Sequence, residues 1–218
     1  NITIIDKEKR HYYQPGFLFI PFGIYDKQDV IKPKSDFIPA GVSLLYQEID
    51  RIDPENHRVV LTNGKSLDYD FLIIASGARI SPEETPGMKD KFWHKEIFDF
   101  YTVEGALALR EYFRSWEGGK LVLAITEMPF KCPVAPIEFV CLAEAFFTEK
   151  GIRDKVEISF VTPLAGAFTK PVATQMLSDL LKEKDINIIP DFYIERIDNE
   201  NKKLISYDER EVPFDVLT

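Results

Sequence analysis

Ile49-Asp50-Arg51-Ile52-Asp53-Pro54-Glu55-Asn56 returns 145 residues later as Ile194-Glu195-Arg196-Ile197-Asp198-Asn199-Glu200-Asn201. The correspondence continues downstream, where Val59-Val60 faces Leu204-Ile205, Asn63-Gly64 faces Asp208-Glu209, and Tyr69-Asp70-Phe71-Leu72 faces Phe214-Asp215-Val216-Leu217. Self-similarity at a fixed offset marks one supersecondary unit used twice. Each copy reads as a strand, a short hairpin and a final strand entering a core, because Asn63-Gly64 is a favourable two-residue turn between β-branched residues. Both copies are therefore expected to be small antiparallel meanders.

Ahead of the second copy, strand and helix alternate. The pattern predicts a strand over 120–125, a helix over 133–150 closed by Gly151, strand Val156–Val161, a helix over 171–184 and strand Ile186–Ile189. That alternation calls for a parallel sheet. Ahead of the first copy only the later part of such a half is present, starting with a strand over 2–6. Relative to the second half it lacks a strand, a loop and a crossover helix, on the order of 30 residues. The expected fold class is α/β, with two Rossmann-like halves of FAD- or NAD(P)-binding type. Each carries a parallel sheet and an inserted antiparallel meander, and the first is truncated at its N-terminus. The expected domains are 1–115, a truncated FAD-binding-type half, and 116–218, a second half of NAD-binding type. Asn1 to Asp6 contains no Met and no charged leader, and reads as the middle of a strand.

At 218 residues and 45% hydrophobic content the chain can bury at least one full core. No apolar run approaches the roughly 20 residues that a membrane-spanning helix needs. The 27 Lys and Arg stand against 36 Asp and Glu, a net charge of −9, which argues against nucleic-acid binding because that needs a positive field. Two cysteines without regular spacing and three scattered histidines (His11, His57, His94) give neither a disulfide scaffold nor a metal site. Such cysteine usage fits a reducing cytoplasmic interior.

Four places could carry chemistry. Asp6 ends a strand where a dinucleotide fold places an acid that accepts hydrogen bonds from the adenosine ribose; without a glycine loop it reads equally as a charged residue leaving a strand. Ile73-Ile74-Ala75-Ser76-Gly77-Ala78 reads as an apolar strand that breaks into small residues, allowing a ligand or another strand close to the backbone. From His11 to Gly23, aromatics including Tyr13 and Phe17 surround Pro15 and Pro21, and could wall an apolar pocket for a planar ring or pack beneath a loop. The fourth is the stretch Thr126-Glu127-Met128-Pro129-Phe130-Lys131-Cys132-Pro133-Val134-Ala135-Pro136, which follows the first strand of the second half. It holds no glycine, so side chains and prolines obstruct the phosphate approach that tight NAD(P) binding requires.

In place of glycines this loop carries Cys132, a thiol at the mouth of a helix next to Lys131, and both features favour thiolate. Cys132 is thus a candidate nucleophile, with a small buried core residue as the other reading. Cys141 lies in an apolar run nine residues on, about 13 Å along a helix, too far for a disulfide with Cys132.

These segments resemble the sulfide:quinone oxidoreductases, members of the FAD-dependent pyridine nucleotide-disulfide oxidoreductase superfamily. The likeness rests on Ile4-Ile5-Asp6-Lys7 with His11-Tyr12-Tyr13-Gln14-Pro15-Gly16, on Tyr69-Asp70 with Ile73-Ile74-Ala75-Ser76-Gly77, on Lys131-Cys132-Pro133-Val134-Ala135-Pro136 and on Phe168-Thr169-Lys170-Pro171. The Lys-Cys-Pro segment is the specific one.

The resemblance implies that Asp6, Lys7, the Ile49 backbone, Ser76 and Gly77 contact FAD, and that Tyr13, Pro15 and Phe17 approach the flavin and quinone. Cys132 would be one of a redox pair beside the flavin, taking up sulfide sulfur as a persulfide or polysulfide while electrons pass through FAD to quinone. The partners implied are sulfide and quinone, and the place is the cytoplasmic side of the cell membrane, peripherally, through a C-terminal region not in this chain. Homo-oligomerisation stays open. The glycine loop, a second acidic FAD-contact region and a partner cysteine are not among these residues. The alternatives are an NAD(P)H-dependent relative, such as a coenzyme A disulfide reductase or a type II NADH dehydrogenase, and a non-catalytic fold fragment.

Overall fold

A computed structural model describes residues 1–218. The chain divides into two compact units, Asn1–Tyr13 with Lys27–Arg79, and Gln14–Asp26 with Ile80–Thr218. The boundaries differ from a single cut at 115/116. Phe22, at the end of the aromatic stretch, packs on Phe113, Phe139 and Phe146, so 14–26 belong with the second unit's core.

In the first unit, β1 (Ile2–Ile5) pairs in parallel with β4 (Val42–Leu45). Between them come β2 (Arg10–Tyr12), a one-turn helix α1 (Lys27–Val30) and β3 (Ile31–Pro33); β2 and β3 form an antiparallel pair the sequence pattern does not announce. The meander follows as β5 (Ile49–Asp53), β6 (Arg58–Leu61) and β7 (Ser66–Asp68).

The first α-helix of the second unit is α2 (Val103–Ser115), N-capped by Thr102, whose hydroxyl accepts from the Gly105 amide. Then come β8 (Gly119–Ala124), α3 (Ala135–Glu149), β9 (Val156–Val161), α4 (Pro171–Glu183) and β10 (Ile186–Ile189). The second meander is β11 (Ile194–Asp198), β12 (Lys203–Ser206) and β13 (Glu211–Pro213), after which β14 (Val216–Leu217) joins the parallel sheet in the order β10-β9-β8-β14. The sheet's central strands are apolar on both faces, as a parallel sheet covered by helices requires. One face packs Leu121, Leu123, Ile158 and Phe160 with α2 and α3 residues Leu109, Phe113, Phe139 and Phe147. Val122, Val161 and Leu217 pack instead with Phe192, Ile197 and Phe214.

The expected α/β class with parallel sheet and antiparallel meanders is what forms. The repeat holds at the level of register: Ile49↔Leu61 and Arg51↔Val60 in one copy correspond to Ile194↔Ser206 and Arg196↔Ile205 in the other, each with a bulge at the same step.

Two expectations need correction. Residues 71–78 form no strand: Phe71 is 94% exposed and Ile73 89%, whereas Val216 and Leu217 in the repeat are buried. A strand needs a ladder partner, and β14 has β8, for which the first unit has no counterpart among its strands. The helix expected from 133 starts at Ala135, because Pro133 and Val134 lie in a turn closed by an i→i−3 bond from the Ala135 amide to the Cys132 carbonyl, and the first i→i−4 bond runs from the Glu138 amide to the Val134 carbonyl.

Candidate active site

Cys132 lies in the loop between β8 and α3, at the carboxyl edge of the parallel sheet, where open α/β folds bind their ligands. Its side chain is exposed and the thiol is free. Because the cysteine stands in the loop, only the stretch from Ala135 to Cys141 is helical, and the helical rise does not by itself fix the distance between the two thiols. Cys141 is half-buried, and burial pushes its thiol above the ordinary range, with Lys184 partly offsetting this. The two cysteines thus stand in different surroundings, Cys132 exposed in a loop and Cys141 packed on the core from α3.

Three segments of the second unit converge beside Cys132. The Tyr101 hydroxyl donates to the Lys131 carbonyl at 2.7 Å. The Lys131 ammonium donates to the Gln14 side-chain oxygen. The Cys132 carbonyl accepts from the Ala135 amide at 3.1 Å, closing the turn into α3. Burial, and then the neighbouring Cys132 charge, push the Tyr101 phenol up to about 12, so it remains a hydrogen-bond donor across the physiological range.

Tyr101 is itself fixed. Its amide and that of Thr102 donate to Asp99 Oδ1 at 3.0 and 2.6 Å, while Asp99 Oδ2 meets Thr102 Oγ1 and His94 Nε2. Its ring stacks on Phe100, which stacks on Phe139 of α3.

The aromatic stretch splits by role. Gln14–Phe19 form a 3-10 helix with Phe17 buried, and Leu18, Ile20 and Phe22 also join the core. Pro15 stays exposed, and Tyr13, in the first unit, is half exposed. Of the three proposed pocket residues, only Tyr13 and Pro15 offer surface to a ligand.

In the first unit Asp6 follows β1, its carboxylate accepting from the Glu8 amide at 2.8 Å and from Lys34. Burial raises its pKa, but the Lys34 and Glu8 hydrogen bonds outweigh that and leave it below the ordinary value. An ionised carboxylate has about four lone-pair directions, so two remain for hydroxyl donors. Lys7 pairs with Glu48 at 2.7 Å, directly before the half-exposed Ile49. Ser76 is exposed, and Gly77 (φ 75°) has no atom within 4 Å of where a Cβ would stand, leaving its backbone open to close approach. An ionised acid at a strand end, an open glycine and exposed backbone fit the adenosine side of a dinucleotide. The described residues include no glycine-rich phosphate loop.

Sequence reading singled out Cys132, Lys131 and Asp6 as candidates; Tyr101, Asp99, Gln14 and Lys34, which hydrogen-bond around them, carry no comparable signal. Tyr101 and Gln14 stand 30 and 117 positions from Lys131, beyond any local pattern. The nearest to a signal is Asp99, an acid three residues before the Thr102 cap. No side-chain cluster suited to a metal ion occurs in the structure, and no helix is long and apolar enough to cross a membrane.

No family model matches the chain. Among curated proteins it is 27% identical over 188 residues to the mitochondrial sulfide:quinone oxidoreductase of Dictyostelium discoideum, covering 86% of this chain and 42% of that protein. A shorter match, 29% over 151 residues, 65% of this chain and 36% of the relative, is to an NADH dehydrogenase-like protein of Mycobacterium tuberculosis. Among solved structures, the sulfide:quinone oxidoreductase of Aquifex aeolicus superposes with a TM-score of 0.81 at 22% identity, over 100% of this chain and 51% of that one. The chain spans about half the length of the relatives it matches. The repeat of a parallel sheet with an antiparallel meander, the Lys-Cys-Pro loop and these likenesses agree: the chain is a relative of the sulfide:quinone oxidoreductases, within the FAD-dependent oxidoreductase superfamily that contains them.

Proposed function

We propose that this chain is the thiol-bearing part of a flavin-dependent sulfide:quinone oxidoreductase, with Cys132 as the group that takes up sulfide sulfur. The observation that carries this is the β8–α3 loop. A nucleotide-type half would cradle pyrophosphate there with glycines, and this chain instead presents an exposed cysteine. FAD, when bound, supplies the two-electron acceptor that couples sulfide to quinone. Asp6 would hold the ribose of its adenosine, the Ile49 backbone would lie by the adenine, Lys7 would contact the cofactor, and Ser76 and Gly77 would lie along the cofactor. Tyr13 and Pro15 would each approach the flavin and quinone, whereas Phe17 is buried and offers no surface to them. A quinone substrate also implies peripheral contact with a membrane, on its cytoplasmic side.

The NADH-dependent reading has a relative in its favour, but the glycine-free loop with its prolines stands against it. In the enzyme that carries this chain, quinone reduction driven by sulfide should exceed that driven by NADH. Cys132→Ser should abolish the sulfide-dependent rate, and Cys141→Ser should leave it nearly intact. Faster turnover with NADH, or equal losses from the two serine variants, would overturn the assignment.

A further inference from the structure

We propose that Tyr101 is the positioning residue for Cys132: by donating to the Lys131 carbonyl, one peptide ahead of the thiol, it holds the Cys132 backbone in the left-handed conformation that presents the sulfur. The inference rests on the proposed role of Cys132 and extends it to a residue that acts through the backbone of the thiol loop.

An L-residue with φ 61° pays a steric cost of the same order as one hydrogen bond contributes. Something must therefore hold Cys132 there, and the loop is held on both sides. Downstream, the Ala135 amide donates to the Cys132 carbonyl. Upstream, Lys131 is gripped at its carbonyl by Tyr101 and at its ammonium by Gln14. The two grips differ in stiffness. Gln14 is exposed, and its side chain must be ordered to make the contact. The Tyr101 amide is pinned by Asp99 and its ring is stacked on Phe100, so little freedom is lost when its hydroxyl donates. With its phenol protonated throughout the working range, the grip does not open with pH below the alkaline region.

Presentation matters because of the chemistry proposed for the thiol. A thiolate attacking a polysulfide chain forms a new S–S bond while the old S–S bond breaks, and the displaced shorter polysulfide carries away the electron pair. No external oxidant is needed. The attack requires the sulfur to approach along the bond being broken, so a loop that samples other conformers reacts more slowly.

The test uses this chain in a Cys141→Ser background. Sodium tetrasulfide is the sulfur donor, and Cys132 persulfide formation is followed by mass spectrometry of the intact protein. Tyr101→Phe keeps the ring and removes the donor. Persulfide formation should slow by about 3- to 10-fold, and hydrogen exchange at the Ala135 amide should quicken by a similar factor. Tyr101→p-aminophenylalanine, which returns an N–H donor to the same place, should restore both. An unchanged persulfide rate in Tyr101→Phe overturns the proposal, even if Ala135 exchange quickens, because the phenol would then serve only the fold. Failure of the amino variant to restore the rate also overturns it. If Cys132 of the parent chain ignores tetrasulfide, the proposed function fails separately; iodoacetamide then serves as the electrophile, and the same comparison of rates decides the role of Tyr101.

Discussion

Asp99 is the residue through which the loop before α2 is organised. Its two oxygens take the amides of Tyr101 and Thr102, the Thr102 hydroxyl and the His94 ring, and α2 begins directly after. Gly105 is the space that makes this possible, since a Cβ there would lie 2.2 Å from Asp99 Oδ2 and 2.5 Å from the Asp99 carbonyl oxygen. Gly105→Ala should therefore destabilise the fold by about 1–3 kcal/mol despite the better helix propensity of alanine, read from urea unfolding midpoints. Tyr101 gives a second prediction, with its sign set by linkage. Its folded pKa is raised from 10.0 to about 12, so between those values the folded state holds more protons than the unfolded chain, and stability falls as pH rises through that window. The drop in urea midpoint between pH 9 and pH 11.5 should be smaller in Tyr101→Phe than in the parent. What was legible at this scale was whatever announces itself in the local chain. Cys132 stands in a loop whose missing glycines are conspicuous, and Asp6 ends an apolar strand. Tyr101, Gln14 and Lys34 were silent because their meaning lies in partners far along the chain.

Among the elements, the two meanders supply an experiment with its own control. His57 and Lys202 occupy equivalent positions and both adopt positive φ, at 50° and 51°, and Asp53 with Asn56 repeats as Asp198 with Asn201 through the same side-chain hydrogen bond at 2.8 Å. Different side chains thus converge on one backbone, so the turn is fixed by strand register more than by residue type. The hairpin tip is where the copies part. Gly64 sits at φ 81° without steric cost, while its counterpart Glu209 is held at φ 66°. Glu209→Gly should stabilise the protein by roughly 0.5–1 kcal/mol, measured by urea or thermal unfolding, since relief of the left-handed strain exceeds the added freedom of the unfolded chain. A loss of stability instead would show that the Glu209 side chain makes a contribution its backbone conceals. Periodicity located these elements well: strands Val156–Val161 and Ile186–Ile189 form where expected, and α4 ends one residue early. It failed at 133–134, where a turn closed by an i→i−3 bond from the Ala135 amide precedes the helix, and at 71–78, where an apolar run had no partner to pair with.

That last failure belongs to the whole molecule, because identical local sequence logic has opposite outcomes in the two units. Val216 enters a sheet between β8 and the bridge from Ile97, and is fully buried, while Phe71 at the equivalent position is 94% exposed. Burial of a strand is a property of its neighbours, and hydrophobicity alone does not secure it. The energetic consequences should be equally unequal. Val216→Ala should cost about 2 kcal/mol of folding stability by removing methyl groups from a packed site. Phe71→Ser should change it by less than about 0.5 kcal/mol, because the ring is in water on both sides of the unfolding equilibrium. Phe71→Ser should instead act on association. Phe71, Ile73 and Ile74 form an exposed apolar run with unpaired backbone, the kind of segment that recruits another chain. Sedimentation velocity over a concentration series should show the parent chain forming larger species at concentrations where Phe71→Ser stays monomeric. If both chains sediment alike and Phe71→Ser loses stability as Val216→Ala does, then residue 71 is packed in solution and the first unit holds its final segment by contacts other than a strand ladder.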